Sequence, residues 1–375
     1  MKEADCVMKF LFFNIAFLML LCGLEVTPLT IYPQRRYLNS RFLLTLGISY
    51  LCFLAMFRGA SCGNDTENYR EFFQTVASQK SLWYTIQHTS FEPLFTALAF
   101  FLSRITRNSQ ILIIVSSLFS FTVTGRFLAK FSRAPCFSLY LFFTLQIFDF
   151  YLSGIRQTLA ISMLLLAYEA MLEKSNLRTL LLILLAGFFH RTAWICFPIF
   201  FLIRICHRQV FVKITILVSL ICLLGSRYII AVIASVFPRY QMYFGSSYLR
   251  TGLKLSLVLY FLVFSMVLLV GELGGTKDSA ITRNKQDELD FRLSFLLLVV
   301  CVLGYTAPVF SRILQYFQLY LCVYFANRLY NMSIQIRRIL LLSSLIAFAI
   351  YTGTIHFLRT PEWYTTYPFV FCWNN

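Results

Sequence analysis

The segment SQILIIVSSLFSFTVTG, residues 109–125, has no charged side chain and lies between Arg107 and Arg126. An uncharged apolar run of this length approaches the roughly 20 residues that a helix needs to cross the hydrocarbon core of a bilayer. Because hydrocarbon contains no water, a segment inside it must satisfy its backbone N–H and C=O groups internally, as a helix does. The segment therefore predicts a membrane-spanning helix.

Similar apolar runs recur along the whole chain, separated by short polar segments. They predict an all-α fold: a single polytopic membrane domain over residues 1–375, with about twelve transmembrane helices. The expected spans are residues 9–24, 42–57, 109–125, 137–152, 155–172, 177–190, 192–205, 211–232, 253–271, 292–309, 312–328 and 338–357.

The composition supports a membrane protein. Of the 375 residues, 59% are hydrophobic and 13% charged, whereas soluble proteins average about 25% charged residues. So high a hydrophobic fraction with so few charges excludes a soluble enzyme, a disordered scaffold and a secreted disulfide module. The net charge of +17 suits the Lys and Arg residues that polytopic proteins collect in cytoplasmic loops, so no nucleic-acid partner is expected.

Alternate loops carry most of these basic residues, which predicts that both termini and the other loops face outward. The outward loops include residues 58–108 and the Tyr- and Arg-rich loop 233–252. Within the first of them, residues 93–103 form an apolar run too short to cross the bilayer. This run predicts a short re-entrant or interfacial helix.

Arg156 and Gln157 follow Gly154, at the opening of the apolar run 155–172. An arginine here could simply extend its guanidinium to the membrane surface. Helix N-termini disfavour cations, however, and a bound anion shared by the guanidinium and the free N–H groups would resolve that conflict. A guanidinium also matches phosphate or carboxylate oxygens bidentately. The pattern favours an anion-binding arginine.

His190 and Arg191 lie between two apolar runs, on the same expected side of the membrane as Arg156. A histidine titrates near neutral pH and serves as a general base or a hydrogen-bond donor. The alternative is a histidine bound to a neighbouring carbonyl. His190 is therefore a candidate catalytic residue.

The remaining candidates lie in the outward loops. Asp65 and Tyr69 are one helical turn apart, and an acid beside an aromatic ring suits sugar binding; a solvated turn with an N-cap aspartate is the alternative. Arg58 and Glu92 are candidates near them. Arg239 and Arg250 bracket a Tyr-rich loop, and Arg312 follows Pro308 at the start of another apolar run. These arginines are candidates for glycan or phosphate binding, and the alternative is that they are ordinary membrane-interface anchors.

Several motifs are missing from the sequence. It has no GxxxxGK[ST] loop, no HExxH, no DxD-like acidic pair and no metal-ligand spacing among its four histidines. No cofactor is expected. If the substrate carries a pyrophosphate, arginines must neutralise it.

The pattern resembles the EpsG-like family of polysaccharide polymerases, which are relatives in function of the Wzy-type O-antigen polymerases. The similarity extends from about residue 30 to residue 330 and is most specific at Ile155-Arg156-Gln157-x2-Ala160 and His190-x2-Ala193. Further matching motifs are Arg58-x4-Gly63-x-Asp65-x3-Tyr69, Glu92-Pro93-Leu94-Phe95 and Arg312-x3-Tyr316-Phe317. The departure is Arg191, where the family leads us to expect a small or polar residue.

The resemblance implies a multi-pass bacterial inner-membrane enzyme similar to the metal-independent glycosyltransferases that use lipid-linked donors. It would join oligosaccharide repeat units, with donor and acceptor both on undecaprenyl pyrophosphate, on the periplasmic face. The product would be capsule, O-antigen or exopolysaccharide, and a flippase and a chain-length regulator would be partners.

In that chemistry Arg156, with Arg312 and Arg191, would hold the leaving pyrophosphate, and His190 or Asp65 would take the acceptor proton. Substrate-binding roles fall to the other candidates: Gln157, Tyr69, Glu92, Arg58, Arg239 and Arg250.

Two other functions fit parts of the same pattern. A flippase or transporter of lipid-linked oligosaccharide would explain the spans and the basic residues, although the paired repeats of many transporters are missing. A membrane acyltransferase would explain a catalytic histidine and would leave the arginines without a role.

Overall fold

The structure, a computed structural model, describes residues 2–26, 33–225, 228, 255–273, 285–306, 308–359 and 365–373. Regular structure in these ranges is helical. The first eight helices are α1 (Lys2–Val26), α2 (Pro33–Met56), α3 (Thr66–Ser78), α4 (Leu82–His88), α5 (Pro93–Ile105), α6 (Gln110–Phe131), α7 (Pro135–Thr144) and α8 (Ile147–Ser153). They are followed by α9 (Ile155–Leu172), α10 (Asn176–Phe189), α11 (Cys196–Ile205), α12 (Arg208–Leu224), α13 (Leu255–Leu273), α14 (Lys285–Thr306), α15 (Gln318–Tyr330) and α16 (Ile334–Arg359). Short 3-10 helices cover Arg191–Ile195 and Pro308–Tyr316.

The chain forms two compact units. Unit 1 comprises Met1–Phe197 and Ser333–Asn375, and unit 2 comprises Pro198–Met332. Most of the sequence-predicted site residues with a described position belong to unit 1.

Three described helices are long and apolar enough to cross a membrane: Gln110–Phe131, Ile155–Leu172 and Ile334–Leu358. The pair α7 and α8 meets the same condition when the two helices are taken as one broken span. The helical class is therefore confirmed for the described residues, and the total of about twelve spans remains a prediction.

The predicted single span 137–152 is interrupted. Gln146, with φ of 63°, adopts a left-handed conformation between α7 and α8, and the two helices are bent by 62°. A left-handed residue cannot continue an α-helix, and no proline or glycine marks this position in the sequence. The consequence is that α8 is a short separate helix directly before Gly154 and Arg156.

Helices α9 and α10 form a hairpin. They are joined by residues 173–175, where Lys174 adopts a φ of 60°. Two packed helices joined by so short a turn run antiparallel. The beginning of α9, with Arg156, therefore lies at the same end as His190, which follows α10.

Three short helices, α3 to α5, lie beside this hairpin end. Pro93 occupies the first turn of α5, the position that tolerates a missing N–H. Helix α3 is amphipathic and buries Tyr69, Phe72, Phe73 and Val76. These side chains pack with Phe95 of α5 and with the first residues of α9 in one apolar cluster. The predicted short helix after Glu92 is present, and its relation to the bilayer remains a prediction.

The loop that precedes α3 is held by a C-terminal segment, residues 365–373. Arg58 and Phe371 form an antiparallel bridge, and the Gly59 N–H donates to the Val370 carbonyl at 2.7 Å. Gly63 has a φ of +89°, and a Cβ there would lie 2.5 Å from the Leu152 carbonyl oxygen. Glycine is needed because both the backbone conformation and the space exclude a side chain.

In unit 2, an ionic network joins several helices. Arg208 of α12 lies 2.8 Å from the Glu272 carboxylate of α13 and over the Phe291 ring of α14. The Tyr324 hydroxyl of α15 donates to the same carboxylate at 2.7 Å. Buried Arg328 donates to the Gly271 carbonyl. The charged and polar groups of this network are partners for one another, which indicates a structural role.

Candidate active site

Glu92 and Arg156 form an ion pair at the opening of α9. Arg156 Nη1 lies 2.6 Å from Glu92 Oε2, and the glutamate side chain is 5% exposed. Glu92 directly precedes α5, and its backbone conformation is extended. Arg156 is a cation in the first turn of a helix, where the helix dipole disfavours it. The Glu92 carboxylate is the anion that offsets this unfavourable position.

The same carboxylate contacts the segment that follows α10. His190 Nδ1 lies 3.3 Å from Glu92 Oε1, and the backbone N–H of Arg191 donates to Oε1 at 3.3 Å. The Arg191 side chain is exposed. One buried carboxylate therefore brings together Arg156 and His190, which the sequence singled out separately.

The turn after α10 fixes the position of His190. The Ala193 N–H donates to the His190 carbonyl at 2.9 Å, which explains the spacing between these two residues. Trp194 folds back onto Gly187, where an added Cβ would lie 2.4 Å from the indole ring. Glycine at position 187 therefore lets this turn close over the end of α10.

Aromatic rings form one wall of the site. The Arg156 guanidinium lies 4.2 Å from the centroid of the Phe91 ring and 5.9 Å from that of Tyr69. Tyr69 packs edge-on against Phe95. Burial raises the pKa of the Tyr69 hydroxyl, and the charge of Asp65 adds to this while that of Arg156 opposes it. Sequence reasoning missed Phe91, although its place directly before the Glu-Pro pair was a usable signal.

The other predicted residues of this unit lie in different environments. Asp65 is half-buried at the start of α3, and its side chain makes no cap hydrogen bond. Gln157 is buried. Arg58 has no exposed surface; its guanidinium donates to the Ala55 carbonyl and to the hydroxyls of Ser117 and Thr66. The geometry of Arg58 favours a structural role over contact with a substrate.

The model of the EpsG family matches residues 41–371, which is nearly the whole chain. The chain belongs to the EpsG family. This is a family of polysaccharide polymerases, so membership assigns a glycosyltransferase-like, polymerase-type function to this membrane protein and confirms the family resemblance seen in its motifs. No curated protein and no solved structure matches the chain significantly.

Three predicted site residues of this EpsG protein belong to other parts of the chain. Arg312 is exposed on the 3-10 helix Pro308–Tyr316 of unit 2. Arg239 and Arg250, with the loop 233–252, lie outside the described residues. Among the residues that are described, no group of three or more His, Cys, Asp and Glu side chains is placed to hold a metal ion.

We expect the stability of the EpsG protein to depend on Glu92 ionisation. Burial raises the pKa of Glu92, but the contact with the His190 ring and the charge of Arg156 outweigh it and lower the pKa to about 2. An unfolded glutamate titrates near pH 4.3, so this stabilisation is complete above that pH and is lost as the pH falls toward 2. It amounts to about 3 kcal/mol. The melting temperature of Glu92→Gln should therefore lie below that of wild type at pH 6, and the gap should be about half as large at pH 3. An equal gap at both pH values would contradict the assignment.

Replacing Arg58 should affect folding more than chemistry. Arg58→Ala leaves a cavity and three acceptors without their donor, and we expect a loss of about 2–4 kcal/mol in the free energy of unfolding. The measurement is the apparent melting temperature in detergent, compared with activity per folded molecule. Unchanged melting with lost activity would instead assign Arg58 to substrate binding.

Proposed function

We propose that this protein joins lipid-linked oligosaccharide repeat units into a longer surface polysaccharide. The observation that carries the proposal is the Glu92 carboxylate, which contacts both Arg156 and His190. An anion-binding guanidinium and a histidine therefore lie side by side, and glycosyl transfer from a pyrophosphate donor needs one group for the leaving anion and one for the acceptor proton. EpsG family membership supports the same reaction class.

In the proposed reaction an acceptor hydroxyl attacks the anomeric carbon of the donor sugar. A new glycosidic C–O bond forms, the C–O bond to the pyrophosphate breaks, and lipid pyrophosphate leaves. Arg156 stabilises the charge that develops on the leaving oxygen. Its Nε–H is buried without an acceptor among the described residues, which leaves a donor for a substrate oxygen. Because the charges of Arg156 and Glu92 cancel, the exposed guanidinium of Arg191 gives the site a net positive charge for the pyrophosphate.

His190 takes the proton of the acceptor hydroxyl in this scheme. With Nδ1 facing the Glu92 carboxylate, the proton of a neutral ring belongs on Nδ1 and the lone pair on Nε2. Glu92 thus orients the ring and stabilises the imidazolium that forms when Nε2 accepts the proton. Asp65 is the second candidate base, because its charge acts on Tyr69 at the edge of the same site.

Sugar binding is assigned to the aromatic wall. Phe91 and Tyr69 flank the guanidinium, and aromatic faces pack well against the apolar faces of sugar rings. Gln157 and Arg58, both buried, support the surrounding helices in this conformation. Arg312, Arg239 and Arg250 remain proposed contacts to phosphate or glycan.

The substrates are expected on the periplasmic face of the bacterial inner membrane, with undecaprenyl pyrophosphate as the carrier. The apolar spanning helices offer a surface for both polyprenyl tails. We propose that the arginines neutralise the pyrophosphate without a metal ion, and that a flippase supplies donor and acceptor while a chain-length regulator limits the product.

The test is incubation of the purified protein in nanodiscs with undecaprenyl-pyrophosphate-linked repeat units and EDTA. We expect a ladder of longer lipid-linked products. A protein that only moves the substrate across liposome membranes would be a flippase, and transfer of an acyl group would indicate an acyltransferase. If the ladder formed only with added Mg²⁺, the proposed metal independence would be wrong and the proposed polymerase activity would still hold.

A further inference from the structure

A second buried acid–histidine pair lies in unit 1, apart from the Glu92 carboxylate. His356 Nε2 of α16 is 3.2 Å from Asp149 Oδ2 of α8, and the two side chains are 2% and 3% exposed. The His356 ring lies edge-on to Tyr367 of the C-terminal segment, with 4.9 Å between ring centroids. None of these groups has a part in the proposed glycosyl transfer.

Stability alone does not account for this pair. Burying an acid and a histidine costs desolvation energy that their attraction often fails to recover, and apolar replacements of such pairs are often neutral or stabilising. Asp149 Oδ1 is also buried without a hydrogen-bond donor among the described residues. In some proteins a buried polar pair of this kind is retained because it fixes one arrangement of packed elements.

The element that Asp149 fixes is α8. This helix has seven residues, begins after left-handed Gln146 and ends at Gly154, so its position depends on how its buried side chains contact the surrounding helices. Asp149 is the only charged residue within it. At its other end, Ser153 Oγ accepts the Asn64 N–H at 3.1 Å, which links α8 to the loop before Tyr69.

Arg156 lies three residues after the end of this helix. Gly154 closes α8 and precedes the first residue of α9, and Arg156 is the second residue of α9. A rotation or shift of α8 therefore moves the start of α9 relative to Glu92. We propose that Asp149 and His356 are positioning residues, which lock α8 against α16 so that Arg156 meets the leaving pyrophosphate. This inference rests on the proposed function.

The experiment uses the full-length double variant Asp149→Leu/His356→Leu, in which both buried polar groups are replaced together. We expect a melting temperature close to that of wild type, a turnover number at least about tenfold lower and a donor KM changed less than about twofold, since misplacement of a catalytic group by 1 Å can cost about a hundredfold. Asp149→Asn retains an oxygen that accepts from His356 Nε2, and it should restore most of the turnover.

Hydrogen exchange gives a readout that does not depend on activity. In the double variant, amides of residues 147–157 should exchange at least about tenfold faster while those of α6 stay unchanged, because only the lock on α8 is lost. Tyr140→Phe is the matched control: it removes a buried hydrogen bond from α7 to the Leu345 carbonyl of α16, and both turnover and exchange of residues 147–157 should match wild type.

Turnover within about twofold of wild type, or unchanged exchange of residues 147–157, would overturn the positioning role. A general rise of exchange together with a lower melting temperature would also overturn it, since the pair would then be structural. If wild-type protein forms no polymer, the proposed function fails, and the exchange comparison still decides whether the pair locks α8.

Discussion

Replacing Arg156 by alanine should lower polymer formation by about a hundredfold to a thousandfold, since this is the cost of removing one preorganised donor from a developing anion. Arg156 is the only guanidinium whose described side chain contacts the Glu92 carboxylate. Among the described residues, no other guanidinium is held in this position at the start of α9. The measurement is the initial rate of ladder formation from lipid-linked repeat units, normalised to folded protein.

Alanine at position 156 also leaves the buried Glu92 carboxylate without its cation, which can lower stability. The double variant Arg156→Ala/Glu92→Gln removes both charges, and we expect it to melt near the wild-type temperature while it remains inactive. Arg156→Lys keeps the charge without the bidentate geometry and should regain only part of the rate.

The matched control for these variants is Arg178→Ala. Arg178 lies near the start of α10, and its exposed ion pair with Glu173 is at the other end of the α9–α10 hairpin. Its removal should leave the rate within about twofold of wild type, because exposed ion pairs contribute little. If Arg156→Ala and Arg178→Ala had equal rates, the proposed role of Arg156 would be wrong.

Replacing His190 by alanine should lower the rate by about a hundredfold or more, which is the contribution of a positioned general base. The Glu92→Gln variant should lose part of this contribution, because a neutral amide still contacts Nδ1 but no longer stabilises the imidazolium. In the double variant His190→Ala/Glu92→Gln the losses should be less than additive, since both residues act on one proton transfer.

Two further variants decide between the candidate bases. His88→Ala removes an exposed histidine that stacks on Tyr84 of α4, and it serves as the control with a wild-type rate. Asp65→Ala should have a smaller effect than His190→Ala. A larger loss from Asp65→Ala than from His190→Ala would assign the base to Asp65 and leave His190 an orienting role.

The separate candidates Arg156 and His190 could be identified from the sequence because the cost of an ionisable group in an apolar setting can be read locally. The antiparallel arrangement that brings them together also follows from two apolar runs joined by a short turn. The contact of both residues with the Glu92 carboxylate could not be predicted from the sequence. Glu92 is 64 positions from Arg156 along the chain, and no local pattern encodes a contact that arises from packing of α5 against the α9–α10 hairpin.

Arg58 is a residue whose surroundings the sequence did not predict, and its substrate-binding role remains a prediction. In the sequence it is an arginine in a polar loop, a pattern typical of a binding residue. In the structure α2, α3 and α6 surround it, and its burial lowers the pKa of the guanidinium to about 10. Whether a loop side chain faces solvent or the interior depends on how the loop is held, here by the C-terminal segment that pairs with residues 57–59.

From the sequence alone this protein can be placed in a membrane and its elements assigned to helices, because hydropathy and helix formation depend on composition and near neighbours. The family can also be recognised from the sequence, through short motifs whose spacing is kept along the chain. Three features are seen only in the folded protein: Glu92 links Arg156 to His190, the Phe91 ring packs against the Arg156 guanidinium, and the predicted span before Gly154 is broken at Gln146. These are contacts and backbone conformations set by packing between distant segments, and packing free energy is a property of the whole arrangement of helices.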